Sequence, residues 1–175
     1  MLANIAIAAA VLVACVLIYA ATRQGTFRVA RSVSIMAAPE KVFPLINDLH
    51  GFNRWNPFYG LDPAAKFTYR GPDSGKGAAH EWDGNNKAGK GRIEITESSP
   101  PSKILMKLDI LKPMECHNRV AFTLVPVGNA TEVTWVMSGE NSFIGKVMSL
   151  CFNMDKMVGG EFEKGLAALK AIAEK

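Results

Sequence analysis

From Leu2 to Ala21 the chain runs without a charge and with one strongly polar side chain, Asn4, and it then turns basic at Arg23, Arg28 and Arg31. A helix rises about 1.5 Å per residue, so this stretch reaches roughly 30 Å, the thickness of a bilayer's hydrocarbon core. The pattern predicts an uncleaved, single-pass transmembrane anchor over residues 1–22, a linker over 23–27 and one domain over 28–175. A cleaved secretory signal fits less well, because no basic n-region precedes the stretch and Tyr19-Ala20-Ala21 is a poor cleavage site. A buried core helix would be shorter. The arginines after the span place the domain in the cytoplasm, at a bacterial inner membrane; signal cleavage would instead make it periplasmic or secreted.

The formal charge of +4 is modest, and no Lys/Arg run interleaves with aromatics, so no nucleic-acid surface is expected. With Cys15 in the span, Cys116 and Cys151 are too few for a disulfide framework. Asn129-Ala130-Thr131 is a glycosylation sequon, but the position reads better as a hairpin turn.

Beyond the linker, Phe27, Val29, Val33 and Ile35 alternate as one face of a strand, interrupted by Arg31. Pro39 can open a helix that Pro44 cuts short, and Phe52 to Pro57 predicts a second short helix. Six strands follow. Phe67 and Tyr69, His80 and Trp82, and Ile93 and Ile95 mark three short ones between Gly/Pro/Asn turns. Ile104 to Ile110, Cys116 to Leu124 and Val133 to Met137 mark three longer ones, with charged residues on their alternate positions, so the sheet is antiparallel with one wet side. An amphipathic stripe from about Ser142 to Ala173, including Val147, Phe162, Leu166 and Leu169, predicts a single long helix. Gly159-Gly160 inside it predicts a kink or a close approach. Such a stripe buries itself by lying across a curved sheet.

That order resembles the SRPBCC or START-like superfamily, in particular its bacterial polyketide cyclase/dehydrase branch. The stretch Arg31 to Phe43 is similar to that group's opening strand and helix, Asn47-Asp48-Leu49 with Trp55-Asn56-Pro57 to its second helix, and Met154 to Met157 with Phe162 to Leu166 to its terminal helix. The resemblance implies an α+β helix-grip fold, a curved seven-stranded antiparallel sheet wrapped around a long C-terminal helix. It does not fix an activity, since such folds carry enzymes, passive carriers and chaperone activators alike.

The residues themselves favour binding over chemistry. His50, His80 and His117 lack metal-ligand spacing, and Cys116 and His117 point to opposite faces of a strand, so neither a metal, a cofactor nor a catalytic pair is expected. The glycines from Gly71 to Gly91 lack the spacing and following helix of a phosphate loop, and read as turns. Trp55, Phe58, Trp82, Met106, Leu108, Phe122, Trp135, Met137, Met154 and Met157 are the expected walls of an apolar cavity between sheet and helix, with His80 and Asn118 as its polar groups. The expected partners are a hydrophobic small molecule or lipid and the membrane. The alternatives are a cyclase/dehydrase-like enzyme using a cavity histidine or carboxylate, and a ligand-free protein-interaction or stress-response module.

Overall fold

The computed structural model describes residues 2–141, 143–151 and 153–175. Helix α1 (Leu2–Ala21) is followed by β1 (Thr26–Ile35), three short helical turns, α2 (Pro39–Val42), α3 (Pro44–Asn47) and α4 (Leu49–Asn53), and a 3-10 turn at Tyr59–Leu61. Then come β2 (Lys66–Arg70), β3 (Ala79–Asp83), β4 (Lys90–Ser99), β5 (Lys103–Lys112), β6 (Cys116–Val127) and β7 (Ala130–Glu140), and helices α5 (Phe143–Cys151) and α6 (Met154–Ala173). The strands form one antiparallel sheet in the order β1-β7-β6-β5-β4-β3-β2. The α+β class, the seven strands and the terminal helix match the sequence reading.

The first short helix opens at Pro39 and stops at Val42, as expected, and Pro44 goes on to start α3 at its first position, where its fixed φ suits a helical turn and its missing N–H is not needed. One local expectation is corrected. The second helix begins earlier than expected, at Leu49, because the Asp48 side chain accepts a hydrogen bond from His50 N and caps it.

The long terminal helix is in fact two. Asn153 caps α6 by accepting from Lys156 N at 2.9 Å, and a residue whose short amide competes for backbone bonds makes a good start and a poor interior. Ser142, the expected start, lies outside the described residues. Gly159 marks a close approach rather than the break. Arg31 projects from β1 onto α6, where its guanidinium forks onto Asp155 (3.0 and 3.1 Å) and reaches Glu163 (2.7 Å), and a Cβ on Gly159 would overlap it. The charge that interrupts the apolar face of β1 is therefore the clamp that seats the helix.

Further along, Lys170 Nζ donates to Ser34 O and Glu174 accepts from Met36 N, so α6 runs beside β1 from Arg31 to its end. Its buried stripe is Phe162, Leu166, Leu169 and Ala173, with Phe162 stacked on Trp135 at 4.0 Å and 8°. Around that stack, α4 and the loop after it add Phe52 and Trp55, and β6 adds Phe122; all three lie edge-on or tilted to the Trp135 ring at 5.1 to 6.3 Å. Each aromatic pair contributes about 1 kcal/mol beyond its area burial.

Gly160, one residue on, faces open space. Urea unfolding should separate the two glycines: Gly160→Ala gains up to about 1 kcal/mol from helix propensity, whereas Gly159→Val costs about 1 to 3 kcal/mol by forcing α6 off the Arg31 clamp.

Candidate functional site

Register arranges the concave face into rows across the strands. Arg31, Trp135, Phe122 and Ile104 form one row; Val29, Met137, Val120, Met106 and Ile95 form the next; Phe27, Gly139, Asn118, Leu108, Ile93, His80 and Tyr69 form a third; and Ile110, Gly91, Trp82 and Phe67 form the last. Helix α6 starts near the first row and runs away from the others. Where it crosses, the hollow expected between sheet and helix is filled by Phe52, Trp55, Phe122, Trp135 and Phe162, all buried. The trough meets solvent in the remaining rows, where Phe27, Leu108, Ile110, Met137, Trp82 and Phe67 are half-buried.

The expected site residues divide accordingly. Trp55, Phe122 and Trp135 belong to the plug, and Met106 is buried under it. Trp82, Leu108, Met137, His80 and Asn118 share the open end. Phe58 is 40% exposed at the edge of α6, with its ring against Phe162, and Met157 is 58% exposed on α6; neither lines the trough. Met157 lies five residues before Phe162, about 140° around the helix, so it faces away from the side that Asp155, Gly159 and Phe162 turn to the sheet. The Met154 side chain lies outside the described ones.

Several polar atoms at the open end find no partner among the described residues. His80 is buried among Phe67, Tyr69 and Trp82 (ring centroids 5.6 to 5.9 Å), and its Nδ1 makes no hydrogen bond. Burial, helped by the nearby positive potential of His50, pushes its pKa down to about 4, so the imidazole is neutral at pH 7. Asn118 Nδ2 reaches only the Cys116 sulfur, at 3.7 Å, while its buried Oδ1 is unpaired. That amide lies across Gly139, where a Cβ would collide with Oδ1, so the glycine is what lets Asn118 fold over the trough floor. Asn53 donates from Nδ2 to Tyr69 Oη at 2.9 Å and leaves its Oδ1 buried and unpaired. A buried acceptor or donor without a partner costs about 1 to 3 kcal/mol.

Trp82 is fixed by Nε1–H donation to Ala88 O at 3.0 Å and lies over Gly91, forming one wall of the mouth. Two surface hollows flank this end and the opposite one. The first, about 450 Å³, is lined by Leu61, Asn85, Asn86 and Lys87. The second, about 140 Å³, lies beside His50 and Tyr69, whose rings stack at 3.7 Å. Among the described residues no three His, Cys, Asp or Glu side chains gather as a metal site requires. Cys116 faces Asn118 while His117 Nδ1 lies 2.6 Å from Asp109 on the outer face, so the two cannot act as a pair.

Gly139 belongs to this end, while Tyr69 and its partner Asn53 lie between it and the hollow beside His50; none of the three was singled out as a site residue in the sequence. Tyr69 could have been, since it shares the strand alternation of Phe67 and so the face of its neighbour His80. Asn53 and Gly139 could not, because their places depend on how α4 and β7 pack.

The comparisons with known proteins agree with this architecture. Residues 26–174 match the family described as polyketide cyclase / dehydrase and lipid transport. The fold is similar to protein CV1439 of Chromobacterium violaceum, with a TM-score of 0.60 at 17% identity over 86% of this chain and 98% of that one. It is similar too to TTHA0849 of Thermus thermophilus (TM-score 0.58, 18% identity, 84% of this chain and 97% of that one) and to the Aha1 dimer of Colwellia psychrerythraea (0.57, 18%, 85% and 96%). At these identities the likeness is one of fold. No curated protein matches the chain significantly.

The lowered His80 pKa makes a pH prediction. Between pH 6.5 and about 4 the unfolded chain binds a proton at this position that the folded chain refuses, so stability is full above 6.5 and falls on acidification through that window. His80→Gln should lose less than the unaltered protein between pH 7 and pH 4, by up to about 3 kcal/mol, in denaturant titrations across the range.

Proposed function

The chain belongs to the polyketide cyclase / dehydrase and lipid transport family, and from that membership we propose that its trough binds a hydrophobic small molecule or lipid at the end α6 leaves uncovered, beside a membrane that α1 spans. One observation carries the reading: two buried side-chain atoms, His80 Nδ1 and Asn118 Oδ1, find no partner among the described residues in the rows where Leu108, Met137 and Trp82 are half-buried, and Asn53 Oδ1 on α4, beside Tyr69, finds none either. An apolar stretch with a few convergent polar groups is what orients an amphiphile, its tail on the walls and its hydroxyl or carbonyl at the polar atoms. His80 and Asn118 lie three strand spacings apart, at most about 14 Å, with Ile93 and Leu108 between them. That span suits an elongated ligand.

Helix α1 is long and apolar enough to cross a membrane over Asn4–Ala21. Anchored there, the domain faces the cytoplasm, and a sparingly soluble ligand reaches the trough at a high local concentration.

A cyclase or dehydrase activity is the second reading, and His80 is its best proton carrier. Its low pKa makes it a weak base at neutral pH, and no carboxylate contributes to its shift, so binding is favoured over proton transfer. An interaction module working through the outer sheet face fits least, because that face carries paired charges such as Lys107 and His117 on Asp109, and its exposed Val125 and Val127 stand together at one end of β6.

Native mass spectrometry of the full chain, extracted from membranes in mild detergent, tests the reading. The protein should carry an apolar compound, lost when Leu108→Trp and Met137→Trp block the open end and weakened about five- to tenfold by Asn118→Leu. A bare mass for the unaltered protein, or a bound compound indifferent to all three changes, contradicts it.

A further inference from the structure

The strand register sends several loops to one end of the domain. Asp83 pairs with Lys90 and Lys90 with Lys112, so the β3–β4 and β5–β6 turns leave the sheet at the same rim; Thr26 pairs with Glu140, so the start of β1 and the exit of β7 are there too. Asp62 Oδ2 accepts from Asn85 N, which brings the Tyr59–Leu61 turn to this rim as well. It is the end at which the trough is open.

Large apolar side chains stand exposed around it from three separate segments. Leu61 is 43% exposed, Leu111 at the end of β5 45% and Met114 in the turn after it 40%, and Phe143 and Ile144 at the start of α5 50% and 58%. Exposed apolar residues scattered singly need no explanation, but a group gathered around one opening does. Lys87 and Lys112 stand exposed between them; the acidic groups of the same rim are Glu115, beside His117, Glu140, Asp83, which is paired with Lys90, and the buried Asp62, which is bonded to Asn85.

The tether then fixes what this rim faces. Only Thr22 to Gly25 separate the end of α1 from β1, at most about 14 Å of chain, and Asn141 N donates to Gly25 O, so the exit of β7 is tied to the same point. Helix α5 packs on α1 directly. A domain held this closely to a spanning helix presents this rim, and no other, to the lipid headgroups.

We propose that the rim docks on the surface of an anionic bilayer, with Leu61, Leu111, Met114, Phe143 and Ile144 entering the headgroup layer and Lys87 and Lys112 meeting lipid phosphates, so that the trough opens into lipid rather than into water. Apolar side chains buried beside basic ones are how peripheral surfaces hold a membrane, and each lysine near an anionic surface strengthens the contact about fivefold. The docking rests on α1 spanning the membrane; only the passage of a ligand through the mouth rests on the binding function proposed above.

The test places an environment-sensitive fluorophore on single cysteines in the full chain, with Cys15, Cys116 and Cys151 replaced by serine, in vesicles of phosphatidylcholine with or without phosphatidylserine. Labels at Leu111→Cys and Ile144→Cys should shift to the blue and be quenched by lipids carrying a quencher just below the headgroup, whereas one at Val127→Cys, exposed at the far end, should not. Reversing charge with Lys87→Glu and Lys112→Glu should reduce the quenching on anionic vesicles and leave it unchanged on neutral ones. Equal quenching at the three sites, or none, overturns the docking, even if a copurified compound is still bound. Docking with no bound compound in the mass spectrum leaves this inference standing and removes the ligand.

Discussion

The stacking of Phe162 on Trp135 decides how the molecule is divided. Because the two rings lie nearly parallel at 4.0 Å and three further aromatics close around Trp135, α6 is committed to the row of Arg31, and everything it covers there becomes dry core. Arg31 keeps the helix from sliding, since its fork on Asp155 and its bond to Glu163 hold positions two turns apart on α6. The charges are exposed on the helix side, so they set register more than they add stability. The trough is thereby left asymmetric, with one half plugged and the floor of the other half left to the side chains of the sheet.

That open half combines properties a core would not tolerate together. Asn118 and His80 each keep a buried polar atom without a partner among the described residues, while Leu108 and Met137 in the same rows remain half-buried. The plug holds one such atom too, Trp135 Nε1, but there every neighbouring ring is buried, so the open half differs in setting polar atoms next to apolar side chains that still meet solvent. The Asn118 amide is accommodated by Gly139 at the cost of a weaker strand position, and Trp82 is held over Gly91 by its bond to Ala88. Both features shape a concave surface with a few polar points, and both lie on the side of the domain to which α1 is joined.

Much of this was legible in the residue order. Strict alternation through β5, β6 and β7 identified which side chains share the concave face, and the pairing of Asn118 with Leu108 follows from that alternation once the register is known. The break between α5 and α6 was not legible, because Gly159-Gly160 looks like the weak point of the stripe while Asn153, which caps α6, resembles any polar residue on a helix surface. Nor was the plug. Trp55, Phe122 and Trp135 read equally as cavity wall or as packed core, and only the position of Phe162 across the sheet distinguishes the two. Arg31 shows the converse, a residue that looks like a defect in a strand and is explained by a helix more than a hundred residues later.

The central claim is that an apolar ligand occupies the rows beyond Arg31, and photo-crosslinking tests it most directly. A diazirine-bearing fatty-acid analogue, irradiated with the full chain in vesicles and mapped by peptide mass spectrometry, should label Trp82, Leu108 and Met137 and be displaced by excess unlabelled lipid. Adducts confined to α1 and the rim, with none on those three side chains, would contradict the account.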